Sequence, residues 1–198
     1  MGVTSVVRWA AVLLACAAWL PAGGRAAEPD WGLGVYGGIN YDSEPARFTE
    51  GRANYLGQRL LALTASKTVW RAQTWPFALE IDAMIGQQFG IDTLTEIAVA
   101  PALRWSGLPG RQTLRVDLRL APLGISHTSK VSSLELGPDG RGSRTLNYLF
   151  IELAFSRPQT AAHELFLRLH HRCSLYDKIN NYGANGEDFF TVGYRYRF

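Results

Sequence analysis

Along most of the chain, apolar residues recur at every second position, the periodicity of an extended strand with one greasy face. The clearest segment is Phe77–Phe89, where Phe77, Leu79, Ile81, Ala83 and Ile85 share one face and Glu80, Asp82 and Gly86 the other. In residues 95–105, Ile97, Val99, Leu103 and Trp105 oppose Glu96, Ala98 and Arg104. Residues 114–126 set Leu114, Val116, Leu118 and Leu120 against Arg115, Asp117 and Arg119, and residues 147–155 set Leu149, Ile151, Leu153 and Phe155 against a face holding Glu152. Residues 31–41, 55–68, 164–173 and 189–198 complete a set of eight candidate strands, of which 55–68 alternates poorly. No helix-period segment stands out, and past the N-terminal region no apolar run has the length of a membrane-spanning helix.

An even number of strands about ten residues long, joined by turn-rich connections, predicts an all-β fold: an eight-stranded antiparallel transmembrane β-barrel. The connections alternate in length. Residues 42–54, 127–145 and 174–188 are long and fall at one end with the short 90–93, whereas 69–76, 106–112 and 157–163 are shorter and fall at the other. If the first strand rises from the periplasm, the long connections are the outer loops. The charged positions of both signs then share the inward parity, Glu80, Asp82, Arg104, Arg119, Glu152 and Arg168 among them, and eight strands enclose only enough room for side chains to fill. A plugged polar core is expected, not a channel. A soluble lipocalin-like barrel has the inverse pattern, greasy inside and polar outside, and period two alone does not separate the two. The last strand does. Phe190, Val192, Tyr194, Tyr196 and Phe198 alternate with Thr191, Gly193, Arg195 and Arg197, which resembles the C-terminal signature of bacterial outer-membrane proteins. That resemblance implies an outer-membrane location and recognition of Phe198 by the barrel assembly machinery.

Composition adds little: 198 residues suit one domain, and 47% hydrophobic with 19% charged residues is ordinary for a folded protein. The formal net charge of +3 comes from basic residues scattered along the chain, without the dense stripe of a nucleic-acid surface, so nucleic acid is not an expected partner. The N-terminal region changes the picture more. Arg8, the apolar run 9–20 and the small-x-small Gly24-Arg25-Ala26 form an export signal. Residues 1–26 would be removed, leaving 27–198 as a single barrel domain that starts at Ala27. A membrane anchor fits less well, because the run is short and is followed by Pro21 and Gly23-Gly24. A lipoprotein box at Leu13-Leu14-Ala15-Cys16 also fits less well, because the apolar run continues past Cys16. Cleavage would leave Cys173 as the one cysteine, with no disulfide framework.

Candidate chemistry is sparse. His127, His163, His170 and His171 show no zinc-ligand spacing, and no phosphate loop, nucleophile elbow or nucleotide fingerprint occurs, so neither a metal nor a cofactor is expected. One cluster remains, at the end of the seventh strand. Leu165, Leu167, Leu169, His171 and Cys173 share the lipid-facing parity, and a histidine there is costly unless it sits at the interface or has a partner. Asp188, opening the eighth strand, has the same parity as Phe190. His171, Cys173 and Asp188 would together supply a base, a nucleophile and an orienting acid; the alternative is that His171 and Asp188 are solvated rim residues. His127-Thr128-Ser129 is a second His-x-Ser pair, but continued alternation of the fifth strand turns His127 into the barrel, out of a lipid's reach.

The segment Arg168-Leu169-His170-His171-Arg172-Cys173, the Gly/Asn-rich loop after it and Gly193-Tyr194-Arg195-Tyr196-Arg197-Phe198, with Leu146-Asn147-Tyr148-Leu149-Phe150 upstream, resembles the C-terminal end of the PagL family, the lipid A 3-O-deacylases also described as acyloxyacyl hydrolases. The likeness is carried by roughly the last fifty residues. It implies an eight-stranded outer-membrane barrel acting on the lipid A part of lipopolysaccharide, with the family histidine at His171, its serine at Cys173 and its acid at Asp188, beside Glu187. The serine position holds cysteine, so three outcomes stay open: Cys173 attacks as a thiolate, Ser174 takes over through a bulge, or the fold persists without activity as a structural or adhesive barrel. The family asparagine just after the serine is also missing, leaving Asn180, Asn181 and Asn185 as candidates to stabilise an oxyanion. Arg144, Arg172 and Lys178 are candidates for phosphate contacts.

Overall fold

The computed structural model describes residues 29–41, 54–175, 178, 179 and 186–198. The predicted export signal and the first long connection lie outside these residues. The strands are β1 (Trp31–Tyr41), β2 (Tyr55–Arg71), β3 (Phe77–Phe89), β4 (Leu94–Trp105), β5 (Arg115–Ala121), β6 (Ile125–Thr128), β7 (Thr145–Ser156), β8 (His163–Cys173) and β9 (Glu187–Arg197). Every pairing is antiparallel, and β1 pairs with both β2 and β9, so the sheet closes on itself. β5 and β6 both lie between β4 and β7 and form one interrupted stave, which makes an eight-stranded closed barrel. No α-helix occurs among the described residues, only short 3-10 turns at Ser133–Glu135 and Pro158–Thr160. We call the end with the long connections the loop end and the other the turn end.

The faces sort as the alternation predicts. Along β3 and β4 every even-numbered residue from Ala78 to Arg104 that lies in a strand points into the barrel, and odd-numbered Ile81, Ile85, Ile97, Val99 and Leu103 are exposed on the outside. β2 alternates just as regularly from Gln58 to Thr68. Its sequence hides this because Leu60 and Ala62 take inward positions beside outward Leu61 and Leu63. A bulge at Val69 then carries β2 to Arg71, so both Val69 and Trp70 face outward.

The interior is a lattice of paired charges. Arg119 reaches Glu80, Asp82 and Glu152 at 2.7–2.8 Å, and Arg168 bridges Asp82 and Glu152 while lying 4.0 Å over the Phe150 ring. Toward the turn end Arg195 joins Glu152 to Glu164, and Arg197 meets Glu80 at 2.9 Å. Aromatic residues cluster around the turn end, where Phe77 stacks on Trp105 and Tyr196 on Phe198, with Trp31 and Trp70 nearby in the ring of strand ends. This is the outward apolar surface and interfacial girdle of a membrane barrel.

One expectation is corrected. In β4 the residues Arg104 and Ala98 are six apart, while their partners Arg119 and Ser126 are seven apart, so Pro122–Leu123–Gly124 inserts one extra residue and flips the parity of β6. Ser126 and Thr128 are buried inside, and His127 faces out.

Candidate active site

Three outward side chains meet at the loop end of β8. Continuous register along β7 and β8 sets Leu149 opposite His171 and Asn147 opposite Cys173, and on the other side β9 sets Asp188 opposite His171. Asp188 Oδ1 lies 2.6 Å from His171 Nδ1, with both side chains about one-third exposed. Cys173, two residues on along β8, shares that outward face, which sets its thiol beside the imidazole. With Nδ1 committed to Asp188, Nε2 is the nitrogen left to take a proton from sulfur. The approach of β9 requires a glycine just before it, because a Cβ at Gly186 would stand 2.2 Å from the Arg172 carbonyl oxygen and 3.1 Å from His171 Cε1.

Two donor groups lie near the sulfur. Asn147 has outward parity but is only 2% exposed. Its Oδ1 accepts the Gly124 N–H at 3.2 Å, which fixes the amide so that Nδ2 donates to Cys173 Sγ at 3.8 Å. The interruption of the fifth stave frees that N–H, and only glycine fits there, since a Cβ would sit 2.6 Å from Ala100 Cβ and 2.7 Å from the Val99 carbonyl oxygen. The second is the Leu175 N–H, which lies near the thiol just past the end of β8. Leu175 has φ 54°, the left-handed value that a branched side chain adopts only at a cost. Sequence reasoning did not single out Asn147 or Leu175 for this site.

The remaining candidates separate. Glu187 points inward, 1% exposed, accepting from Ser132 Oγ at 3.0 Å and Gln88 Nε2 at 3.2 Å; strand alternation puts it on the opposite face from Asp188. Ser174 has the inward parity and is 8% exposed, and β8 runs to Cys173 without the bulge that would bring Ser174 round to His171. Arg172 is fully buried against Glu135, so it is unavailable to an external phosphate, whereas Arg144 and Lys178 are exposed. Asn180, Asn181 and Asn185 lie outside the described residues. His127 is outward, yet its Nδ1 contacts Thr145 Oγ1 at 2.8 Å and its Nε2 lies 3.0 Å from Arg144 Nη2, while the Ser129 hydroxyl accepts the Thr95 N–H. The second His-x-Ser pair is therefore not a dyad.

At the loop end residues 129–144 pack onto the inward side of the strands, with Ser132 and Glu135 buried. Asp92, in the β3–β4 turn, accepts from the Ser133 N–H at 2.7 Å and from Lys130 at 2.8 Å, and these bonds hold its carboxyl down at about 2 against the opposing effect of partial burial. Glu135 is buried against Arg172 at 2.9 Å, and burial pushes its carboxyl up to about 8; Arg172 opposes the rise, and Glu187 and Glu96 reinforce it.

No family model matches the chain, and no curated protein does. Solved structures do. The outer membrane enzyme PagL superposes with a TM-score of 0.58 at 14% identity, covering 84% of this chain and 99% of that one. Neisserial surface protein A gives 0.52 at 10% identity, covering 87% and 100%. The N-terminal β-barrel domain of OprF from Pseudomonas aeruginosa gives 0.50 at 13%, covering 87% and 100%. At such identities the likeness shows the fold: an eight-stranded barrel of the bacterial outer-membrane type.

Proposed function

We propose that this barrel is an esterase of the outer leaflet that removes an ester-linked acyl chain from the lipid A part of lipopolysaccharide. The observation that carries the proposal is the 2.6 Å His171–Asp188 contact beside the Cys173 thiol, on the face that meets lipid. A hydrolase site that opens sideways from a barrel suits a substrate whose acyl chains already lie alongside it. Cys173 Sγ forms a bond to the ester carbonyl carbon while its proton passes to His171 Nε2, and Asp188 steadies the imidazolium. Collapse breaks the carbon–oxygen bond, and the departing sugar oxygen takes that proton. Water, deprotonated by the same imidazole, then splits the thioester and releases the free fatty acid. The resemblance of residues 146–198 to the lipid A 3-O-deacylases supports this substrate, as does the exposure of Arg144 and Lys178 at the same end, where phosphates would lie.

A second reading is a non-catalytic barrel with a structural or adhesive role. In its favour, two of the superposable barrels, one named as a surface protein, match nearly as well as the enzyme. Mass spectrometry of lipid A from cells with and without the protein separates the two. Loss of one hydroxyacyl chain, abolished by His171→Ala, is the expected result; an unchanged acyl pattern under strong expression rejects the esterase.

A further inference from the structure

We infer that the side-chain amide of Asn147, together with the Leu175 N–H, forms the oxyanion-binding site for the reaction at Cys173; this rests on the esterase reading above. When Sγ bonds to a carbonyl carbon, the carbonyl oxygen becomes negative within a bond's length of that carbon, and donors must already surround the place it will occupy. Asn147 Nδ2 is 3.8 Å from Sγ, a suitable stand-off for a donor that must reach an oxygen one atom beyond the sulfur. Its orientation is set, because the Gly124 N–H occupies Oδ1 and so excludes the flipped amide. Asn147 is also shielded from water on a face built for lipid, where a dipole acts at low dielectric. The bond to Gly124 accounts for the Oδ1 side of the amide but not for Nδ2, which is aimed at the thiol on a strand whose following lipid-facing positions, such as Ile151 and Leu153, are apolar. Leu175 supports the same conclusion. It takes a left-handed backbone just past the end of β8, outside the strand ladder, with its N–H near the sulfur, a second donor group beside the nucleophile.

The test compares wild type with Asn147→Leu, which keeps the volume and suits the lipid-facing surface but has no donor. The full chain in detergent micelles is assayed for hydrolysis of a p-nitrophenyl acyl ester and, in parallel, for the rate of Cys173 alkylation by iodoacetamide. Loss of one oxyanion donor is expected to lower kcat by about 10²–10³-fold, with KM nearly unchanged and a far smaller fall in the alkylation rate, since the bond to Sγ is long. Parallel falls in hydrolysis and alkylation would mean that Asn147 acts on the thiol alone, and undiminished hydrolysis would mean that it does not act; either result overturns the inference and leaves the esterase standing. A wild-type chain whose Cys173 alkylates normally but which cleaves neither this ester nor lipopolysaccharide overturns both. If Asn147→Leu does not fold, as judged by its electrophoretic mobility without heating, Asn147→Ala removes the donor without adding charge and carries the same expectation.

Discussion

His171 occupies a strand face otherwise given to Leu165, Leu167 and Leu169, and its 2.6 Å contact with Asp188 explains how a polar ring is tolerated there. If the ring acts as general base, His171→Ala lowers ester hydrolysis by about 10²–10⁴-fold; Asp188→Asn, which keeps the shape and loses the charge, lowers it less while leaving the barrel folded. Steady-state rates on a soluble ester check both, and an active His171→Ala protein would remove the site from consideration. The nucleophile is tested separately. Cys173→Ala is expected to abolish turnover and Cys173→Ser to keep a fraction of it, whereas Ser174→Ala, altering a buried inward residue, leaves the rate intact. A severe Ser174→Ala effect with an active Cys173→Ala protein would reverse the assignment. Parity put His171, Cys173 and Asp188 on one face, because residues two apart on a strand share a face and the adjacent strand supplies the third, but only the family resemblance singled them out over solvated rim residues. Asn147 was not legible, because its role depends on the β7–β8 register and on an N–H released by the interruption at Gly124, and neither is a local property of the sequence.

Seven of the eight staves follow the predicted alternation to within a few residues, because each has one face against lipid and one against a charged interior. The fifth departs from it: Pro122 and Gly124 permit an extra residue, and an alternation carried straight through them puts His127 on the wrong face. The segment that follows β6 carries its own pH dependence. Glu135 has its carboxyl raised to about 8, so the contribution of its neutral form to docking of residues 129–144 is complete below the ordinary carboxyl range and is lost as pH rises through about 8. Asp92 has the opposite sign: its bonds to Lys130 and Ser133 contribute above the usual aspartate range and fail as pH falls through about 2. Hydrogen exchange at residues 131–136 is therefore expected to accelerate between pH 7 and pH 9 beyond the intrinsic rise, and Glu135→Gln, which fixes the neutral form beside Glu187, is expected to reduce the excess. Equal acceleration in the variant would show that another group is responsible.

At the scale of the whole molecule the barrel is held from inside by arginines that each serve several carboxylates, packed among a buried apolar cluster that includes Leu60, Met84, Phe150 and Phe166. Arg168 is fully buried and bridges Asp82 and Glu152 while covering Phe150. Replacing it with methionine fills much of the space but leaves carboxylates short of a counter-charge, and breaking a buried pair in this way costs about 3–5 kcal/mol. Urea unfolding in lipid vesicles is expected to show a loss of that order, whereas Lys67→Met, at an outward position where the ammonium lies 4.9 Å over Trp31, changes it little. The same lattice has a consequence for transport. Arg119, Arg168 and Arg195 lie side by side across the lumen, each 0% exposed, with the aromatic rings of Phe150 and Phe166 packed against their guanidinium groups. Eight strands leave no width for hydrated ions beyond such a layer. Reconstituted into planar bilayers, the protein is expected to give no stepwise conductance at any moderate voltage; unitary openings that persist in single-barrel preparations would show that the lattice parts, and that the interior is a gated path and not a plug.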